Sequence, residues 1–189
     1  MADTGWLNLT TFTSVGGLSF AWSTPSNAGA SDNTYTTQSN STGGISDSLQ
    51  GVGLVSSTVP GGATIDGIEV QIEAKKSGTN RVITFDLVQL VIAGSPSGSN
   101  LGTGAITTSD TYYPFGGASS LWGLTPTEAN VNHASFGVIM RLLRGAGKGG
   151  TTQTVDHIQM KIYYTAGGAS FIARPNPRQI QAVNRAGTY

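Results

Sequence analysis

Residues 68–75, Ile-Glu-Val-Gln-Ile-Glu-Ala-Lys, alternate apolar and polar side chains without a break. Successive side chains of a β-strand point to opposite faces of a sheet, so this period of two places the apolar set on one face. One buried face and one solvated face are typical of an antiparallel sheet. The stretch therefore predicts a β-strand that covers a core, and it sets the fold class of the chain.

Two further segments near the end of the chain show the same alternation. The apolar positions of the two segments are Phe136, Val138, Met140, Leu142, Ile158, Met160, Ile162 and Tyr164. A Gly-rich loop at residues 145–150 separates them, so we predict a β-hairpin with His157, Gln159 and Lys161 on its outward face. Residues 82–92 are apolar on both faces, which predicts a central strand.

The composition also favours strands joined by turns. Gly supplies 27 of the 189 residues, and only 11% of the residues are charged, against about 25% in a typical soluble domain. Thr125, Pro126 and Glu128 have the spacing of a capping box, which predicts one helical turn. We therefore predict an all-β protein, an antiparallel β-sandwich that is jelly-roll-like. A longer-looped immunoglobulin-like sandwich is the alternative.

The chain divides into a sandwich domain over residues 1–165 and an extended C-terminal arm over residues 166–189. The arm begins with a Gly-containing link, and Pro175 and Pro177 disfavour helix and sheet. Its apolar and arginine side chains suit either folding back on the domain or, as we favour, docking on a neighbouring subunit. The predicted protein-interaction residues are Phe171, Arg174, Arg178, Ile180, Val183, Arg185 and Tyr189.

Charge and cysteine content exclude several classes of function. The formal net charge is zero, so no basic field attracts nucleic acid. The absence of Cys excludes disulfides and thiolate metal sites. The N-terminus lacks the features of a signal peptide, and no apolar run approaches the ~18 residues of a membrane span. We expect a protein made in a cytoplasm that contacts neither nucleic acid nor membrane.

The candidate catalytic and metal-binding residues do not form recognised motifs. His133 and His157 lack a partner at metal-ligand spacing, so we interpret both as surface or interface histidines. Asp66, Glu69 and Glu73 are the nearest approach to a catalytic carboxylate group, but they fall in a turn and on a solvated strand face.

The loops resemble ligand loops in composition alone. Residues 145–151 lack the spacing of a phosphate-binding P-loop and connect two strands, so we predict a hairpin tip. The pairs Asp32-Asn33 and Asp47-Ser48 could contribute oxygen ligands but lack the spaced series of a calcium loop. The sequence therefore predicts no enzyme, no cofactor and no metal site.

The aromatic residues allow two interpretations. Trp side chains are usually largely buried, so these rings first predict contacts at the sandwich ends or between subunits. A flat ring also packs against sugar C–H groups, which makes a glycan platform the alternative. The aromatics considered are Trp6, Trp22, Tyr112, Tyr113 and Trp122, of which Tyr112, Tyr113 and Trp122 are the candidate glycan or interface residues.

Three stretches give the sequence a family resemblance. They are Pro60-Gly61-Gly62-Ala63-Thr64-Ile65-Asp66-Gly67-Ile68-Glu69-Val70, the pattern from Asp110-Thr111-Tyr112 through Leu121-Trp122-Gly123-Leu124-Thr125-Pro126 to Phe136-Gly137-Val138, and Val155-Asp156-His157-Ile158. Over residues 20–165 this pattern resembles β-sandwich proteins of tailed-bacteriophage virions. The resemblance implies a structural protein of a phage particle, and no catalytic residue carries over from it.

The resemblance and the arm together lead to ranked expectations of function. The first is a capsid cement or decoration protein, a homotrimer by analogy, that clamps the major capsid protein or other virion subunits. The alternative is a tail, baseplate or fibre component with a receptor- or glycan-binding role. A free carbohydrate-binding module or an enzyme is third. The expected location is the virion, assembled in the host cytoplasm.

Overall fold

The computed structural model describes residues 1–16, 20–55, 59–147 and 149–167. Within these ranges the chain forms eleven strands, one short α-helix and one 3-10 helix. In chain order they are β1 Ala2–Asp3, β2 Leu7–Val15, the 3-10 helix Pro25–Ala28, β3 Thr36–Asn40, β4 Gly44–Ile45, β5 Ser48–Leu54, β6 Thr64–Lys76, β7 Ile83–Ile92, β8 Ser95–Ser97, β9 Thr111–Gly117, α1 Glu128–Val131, β10 Gly137–Arg144 and β11 Thr151–Thr165.

The strands pair in an antiparallel order that interleaves distant parts of the chain. The order is β8-β7-β10-β5-β2-β11-β6-β9, with β1 and β3 added to β11 and β4 added to β10. Strand β2 belongs to both halves of this order, because its first residues pair with β11 and the rest pair with β5. We call β1, β3, β6, β9 and β11 the front sheet, and β4, β5, β7, β8 and β10 the back sheet.

The two sheets pack face to face. Phe85 of β7 contacts Tyr113 and Phe115 of β9, with ring centroids 5.2 Å and 4.9 Å apart. Since β7 and β9 lie near opposite ends of the strand order, the sheet must curl until its halves meet. The result is an antiparallel sandwich with jelly-roll-like interleaving, which confirms the predicted fold class.

The core consists of the inward positions of the alternating strands. In β6 the inward residues are fully buried, whereas the outward Glu69, Gln71, Glu73 and Lys75 are half-buried. Burying one Ile or Val side chain contributes about 1.5–3 kcal/mol relative to leaving it exposed. The predicted inward residues with no exposed surface are Ile68, Val70, Ile72, Ala74, Phe136, Val138, Met140, Leu142, Ile158, Met160 and Ile162.

The predicted hairpin of residues 136–164 is wrong. Strand β10 pairs with β7, β5 and β4, and β11 pairs with β6, β1, β2 and β3. No pairing between β10 and β11 occurs among the described residues. The chain instead passes from the back sheet to the front sheet between β10 and β11. Alternation fixes which side of a strand is buried, but not whether its partner lies beside it or opposite it.

The predicted capping box is displaced by two residues. Thr127, not Thr125, is the N-cap of α1: its Oγ1 accepts from the Asn130 backbone N–H at 3.3 Å. The Asn130 side chain closes the box by accepting from the Thr127 N–H at 2.9 Å. A bridge to Thr64 of β6 accompanies the extended conformation of Thr127. Pro126 is buried just before the cap.

Strand β11 ends at Thr165, and the description of the chain ends at residue 167. The predicted interaction residues of the arm therefore lie outside the described residues. They are Phe171, Arg174, Arg178, Ile180, Val183, Arg185 and Tyr189.

Candidate functional site: the outward face of the front sheet

The outward side of the front sheet carries amides, aromatics and a few charges. Gln71 of β6 lies opposite Gln159 of β11, and Asn8 of β2 lies opposite Gln159 on its other side. The three amides therefore form one row across three strands. We call this surface the front face; its residues are Trp6, Asn8, Glu69, Gln71, Tyr112, Gln159, Lys161 and Tyr163.

The amide row leaves hydrogen-bonding groups available to a ligand. Gln159 Nε2 donates to Gln71 Oε1 at 3.0 Å, which fixes the two side chains against each other. A primary amide offers two donors and two acceptor lone pairs, and one contact uses one site on each group. The amide nitrogen of Gln71 and the amide oxygen of Gln159 can therefore serve a ligand hydroxyl as donor and acceptor.

An aromatic cluster adjoins this row. Lys161 Nζ lies 4.3 Å from the ring centroid of Trp6 and 5.7 Å from that of Tyr163. The Tyr163 hydroxyl donates to Glu69 Oε2 at 2.7 Å. This hydrogen bond is the main cause that raises the pKa of Tyr163 to about 12, so the phenol stays neutral. A cavity of about 250 Å³ opens beside Trp6, lined by Trp6, Leu7, Asn8 and Val55.

Residues 27–35 cover the other end of the outward side. The Tyr35 ring lies beneath Lys75 Nζ at 3.9 Å, and the Tyr35 hydroxyl donates to Asp110 Oδ2 at 2.6 Å. Lys75 Nζ also donates to Asp110 Oδ2, at 2.9 Å. Hydrogen bonding to Asp110 is the leading cause that raises the pKa of both Lys75 and Tyr35. The segment is therefore tied down, and it closes one end of the front face.

His157 is buried at the boundary between the covered end and the front face. It is 5% exposed, so the prediction of a surface histidine is wrong. A register shift between Val155 and His157 interrupts the ladder here, and the Gly29 backbone forms an antiparallel bridge to His157 along the edge of β11 that also pairs with β2 and β3. The Tyr112 hydroxyl lies 2.9 Å from His157 Nδ1, and Asn8 Oδ1 lies 3.0 Å from Nε2.

Burial governs the titration of this group. It lowers the pKa of His157, and the negative charge of Glu73 opposes the shift without reversing it. Burial also raises the pKa of the Tyr112 phenol, so the ring is a neutral hydroxyl donor.

The sequence-predicted aromatics are distributed over different environments. Trp122 is 2% exposed and donates from Nε1 to the Ile68 carbonyl at 2.9 Å. Trp22 is also buried, and its Nε1 donates to the Asp47 carbonyl. Tyr113 packs against Phe85 at the rim of the core. Neither tryptophan has a ring face open to a sugar. Tyr112 is therefore the member of the predicted trio that lies on the front face.

The front face also contains residues that sequence analysis missed. Gln71 and Gln159 were assigned outward positions, but their amides were not recognised as binding groups. Asn8 and Tyr163 were not considered. The sequence does contain a signal for this site. Several outward strand positions carry Gln or Tyr, whereas an outward face that only contacts water favours Lys, Glu or Thr.

The described residues show no arrangement typical of a metal or membrane site. No three His, Asp or Glu side chains within them lie close enough to hold a metal ion. None of their helices is long and apolar enough to cross a membrane. Of the carboxylates considered for catalysis, Glu69 accepts from Tyr163 and Asp66 accepts from Thr165. His133 is exposed and accepts from the Ser135 N–H.

Comparison with known proteins gives no family. No protein-family model matches the chain, and no curated protein matches it. Among solved structures, one described as "CBM4 structure and function" is similar at 12% identity and a TM-score of 0.40, over 82% of this chain and 93% of that chain. The N-terminal cellulose-binding domain of Cellulomonas fimi β-1,4-glucanase C is similar at 13% identity and a TM-score of 0.34, over 88% and 95%. These similarities are too low to assign a function.

Proposed function

We propose that the front face is a non-catalytic carbohydrate-binding surface that binds a neutral glycan. The observation that carries the proposal is the row of three amides beside the aromatic cluster, on the solvent side of a rigid sheet. Amides pair with sugar hydroxyls as donors and acceptors, and aromatic rings pack against the apolar C–H faces of sugars.

The size and rigidity of the surface suit a short oligosaccharide. Gln159 and Tyr163 are four residues apart on β11, which corresponds to about 13 Å along the strand. From β2 across β11 and β6 to β9 is about 14 Å. Because the side chains lie on paired strands and contact one another, little conformational entropy is lost on binding.

The charges on the front face indicate the class of glycan. Lys161 lies over Trp6, and Glu69 accepts from Tyr163, so both charges already have partners within the face. Glu73, an outward residue of β6 opposite Tyr112, adds a further negative charge. The face therefore has no excess of positive charge to attract an acidic polymer, and a neutral glycan fits better.

A glycan array with matched variants tests the proposal. Trp6→Ala and Gln71→Ala should each weaken binding to the best neutral ligand by about tenfold, the cost of one lost stacking or hydrogen-bonding partner. Val82→Ala is the control, because Val82 is 61% exposed and lies just before β7 of the back sheet. Binding that is equally strong in all three variants, or no binding by the wild type to any glycan, would refute the proposal.

We also propose, as a second candidate, the structural virion role expected from the sequence. The favouring observation is an apolar groove of about 330 Å³ lined by Ala63, Thr64, Ile65, Leu121, Thr125, Pro126, Thr127 and Glu128. Such a groove suits an apolar side chain of a neighbouring subunit. Leu121→Glu should abolish binding to phage capsid shells while leaving glycan binding intact. If the variant binds the shell as strongly as the wild type, the groove is not the contact with a neighbouring subunit.

A further inference from the structure

We propose that His157 is the positioning residue of the front face, a buried neutral imidazole that holds Tyr112 at one margin of the face and Asn8 at the other. This inference rests on the proposed function. It adds a residue buried at the covered end of the front face and a dependence of binding on pH.

The position of His157 in the sheet makes this connection possible. The strand order is β2-β11-β6-β9, and His157 lies on β11, opposite Glu73 of β6. Tyr112 of β9 lies opposite Glu73 on its other side. The Tyr112 side chain therefore reaches across β6 to contact the imidazole, with the rings 6.1 Å apart and nearly perpendicular. From the other direction, β2 brings Asn8 to the second ring nitrogen.

The hydrogen-bond pattern defines the protonation state. The Asn8 amide oxygen faces Nε2, so Nε2 carries the ring proton and donates it. The unprotonated Nδ1 then accepts from the Tyr112 hydroxyl. Because the Asn8 oxygen accepts from His157, its amide nitrogen remains a donor for a ligand. The single neutral tautomer thus sets the orientation of both margin residues.

Protonation would rearrange this network. An imidazolium donates from both nitrogens, so Nδ1 would donate to the Tyr112 oxygen, and the Tyr112 hydroxyl proton would have to turn to the Glu73 carboxylate, with which Tyr112 also forms a hydrogen bond. The charged groups at this site are Glu73 on β6 and Asp156 on β11. The neutral polar groups are Tyr112 on β9, Asn8 on β2, Ser31, which hydrogen-bonds to Tyr112, and the backbone of residues 29–33. Burial outweighs the attraction of Glu73, which keeps the ring neutral at pH 7 and leaves it to protonate only in acid.

Three variants separate the two contacts. In His157→Asn the amide occupies the position of Nδ1 and retains the partner of Tyr112, whereas in His157→Gln it occupies the position of Nε2 and retains the partner of Asn8. His157→Ala removes both. We expect the affinity for the best glycan to fall in the order wild type, then the Asn and Gln variants, then the Ala variant, which should bind about tenfold more weakly than wild type.

The pH profile identifies the imidazole itself. The affinity of the wild type for the glycan should fall at acidic pH, and the Asn and Gln variants should not show this decrease. The chain has two histidines, so His133→Asn is the matched control. His133 is exposed and its Nδ1 accepts from Ser135, a contact that Asn can replace. This control should keep the wild-type profile. A decrease at acidic pH that persists in the His157 variants, or disappears with His133→Asn, would overturn the inference.

A measurement without glycan separates this inference from the proposed function. Nitrogen NMR of the two imidazoles, assigned with the His133→Asn variant, should show His157 as the Nε2–H tautomer at pH 7. Finding the Nδ1–H tautomer or a charged ring would overturn the positioning role, whatever the protein binds. Failure of the wild type to bind any glycan, with the Nε2–H tautomer observed, would refute the proposed function alone.

Discussion

Replacing Asp110 with Asn should loosen the segment that closes the front face. Asp110 Oδ2 accepts from Tyr35 at 2.6 Å and from Lys75 at 2.9 Å, and the side chains of Lys75 and Asp110 are 31% and 23% exposed. Hydrogen bonds to charged groups contribute about 1.5–3 kcal/mol, and partial exposure reduces the ionic part. Since Asn retains one acceptor, we expect a loss of about 1–2 kcal/mol.

Urea unfolding and amide hydrogen exchange measure this loss. With a urea dependence of about 2 kcal/mol per molar, the unfolding midpoint should fall by roughly 0.5–1 M. The amides of residues 27–35 should exchange about 5- to 30-fold faster, the factor that corresponds to 1–2 kcal/mol. These residues should respond because Tyr35 anchors them to Asp110.

Asp86→Asn is a matched control on the back sheet. Asp86 pairs with Arg141 at exposures of 24% and 30%, close to those of the Lys75–Asp110 pair. This variant should lower stability by a similar amount without specifically accelerating exchange at residues 27–35. Equal exchange in both variants, or an Asp110→Asn protein that unfolds at the wild-type urea concentration, would show that Asp110 does not anchor the segment.

Three further predictions concern the buried groups and the arm. Asp156 is 1% exposed with Oδ1 unpartnered among the described residues, and burial raises its pKa; Asp156→Asn should therefore raise the free energy of unfolding by about 1 kcal/mol at pH 7. In pH-dependent urea unfolding this gain should shrink as the pH falls through the raised folded-state pKa toward 3.8, because the native carboxyl then protonates; a gain that persists in acid would contradict the assignment. Trp122→Phe should lower the free energy of unfolding by about 1–3 kcal/mol in the same assay, because the Ile68 carbonyl loses its buried donor. An unchanged free energy of unfolding would contradict a stabilising role for this hydrogen bond. Deleting residues 171–189 should leave the thermal midpoint of the sandwich unchanged, since every strand of the described residues lies before residue 166, but should weaken binding to capsid shells. Wild-type saturation of the shell by the truncated protein would refute the role of the arm.

Local alternation predicted the parts of the fold that depend on one strand at a time. Ile68, Val70 and Ile72 are buried as expected, and so are Ile158, Met160 and Ile162. The same pattern could not identify strand partners, because Met140 and Met160 face the core whether their strands pair side by side or lie in opposite sheets. The helix was placed two residues early because a bridge from Thr64 to Thr127 is not visible in local sequence.

The candidate site depended still more on contacts between distant residues. Asn8 and His157 are 149 positions apart, yet they share a hydrogen bond. Residues 29–33, from a distant part of the chain, pack beside His157, and the outward-facing histidine is therefore buried. Trp122 and Tyr112 were predicted together because both are aromatic. Trp122 is instead buried, because the distant Ile68 carbonyl accepts a hydrogen bond from its indole. No single stretch of sequence carries these relationships.

The most direct test of the central claim is an NMR titration with the best neutral oligosaccharide from the array. We predict saturable shifts in the side-chain amides of Asn8, Gln71 and Gln159 and in the Trp6 indole, with none in the Trp122 indole, which is buried. Shifts confined to the groove around Leu121, or the absence of saturable shifts at the three amides, would contradict a carbohydrate-binding front face.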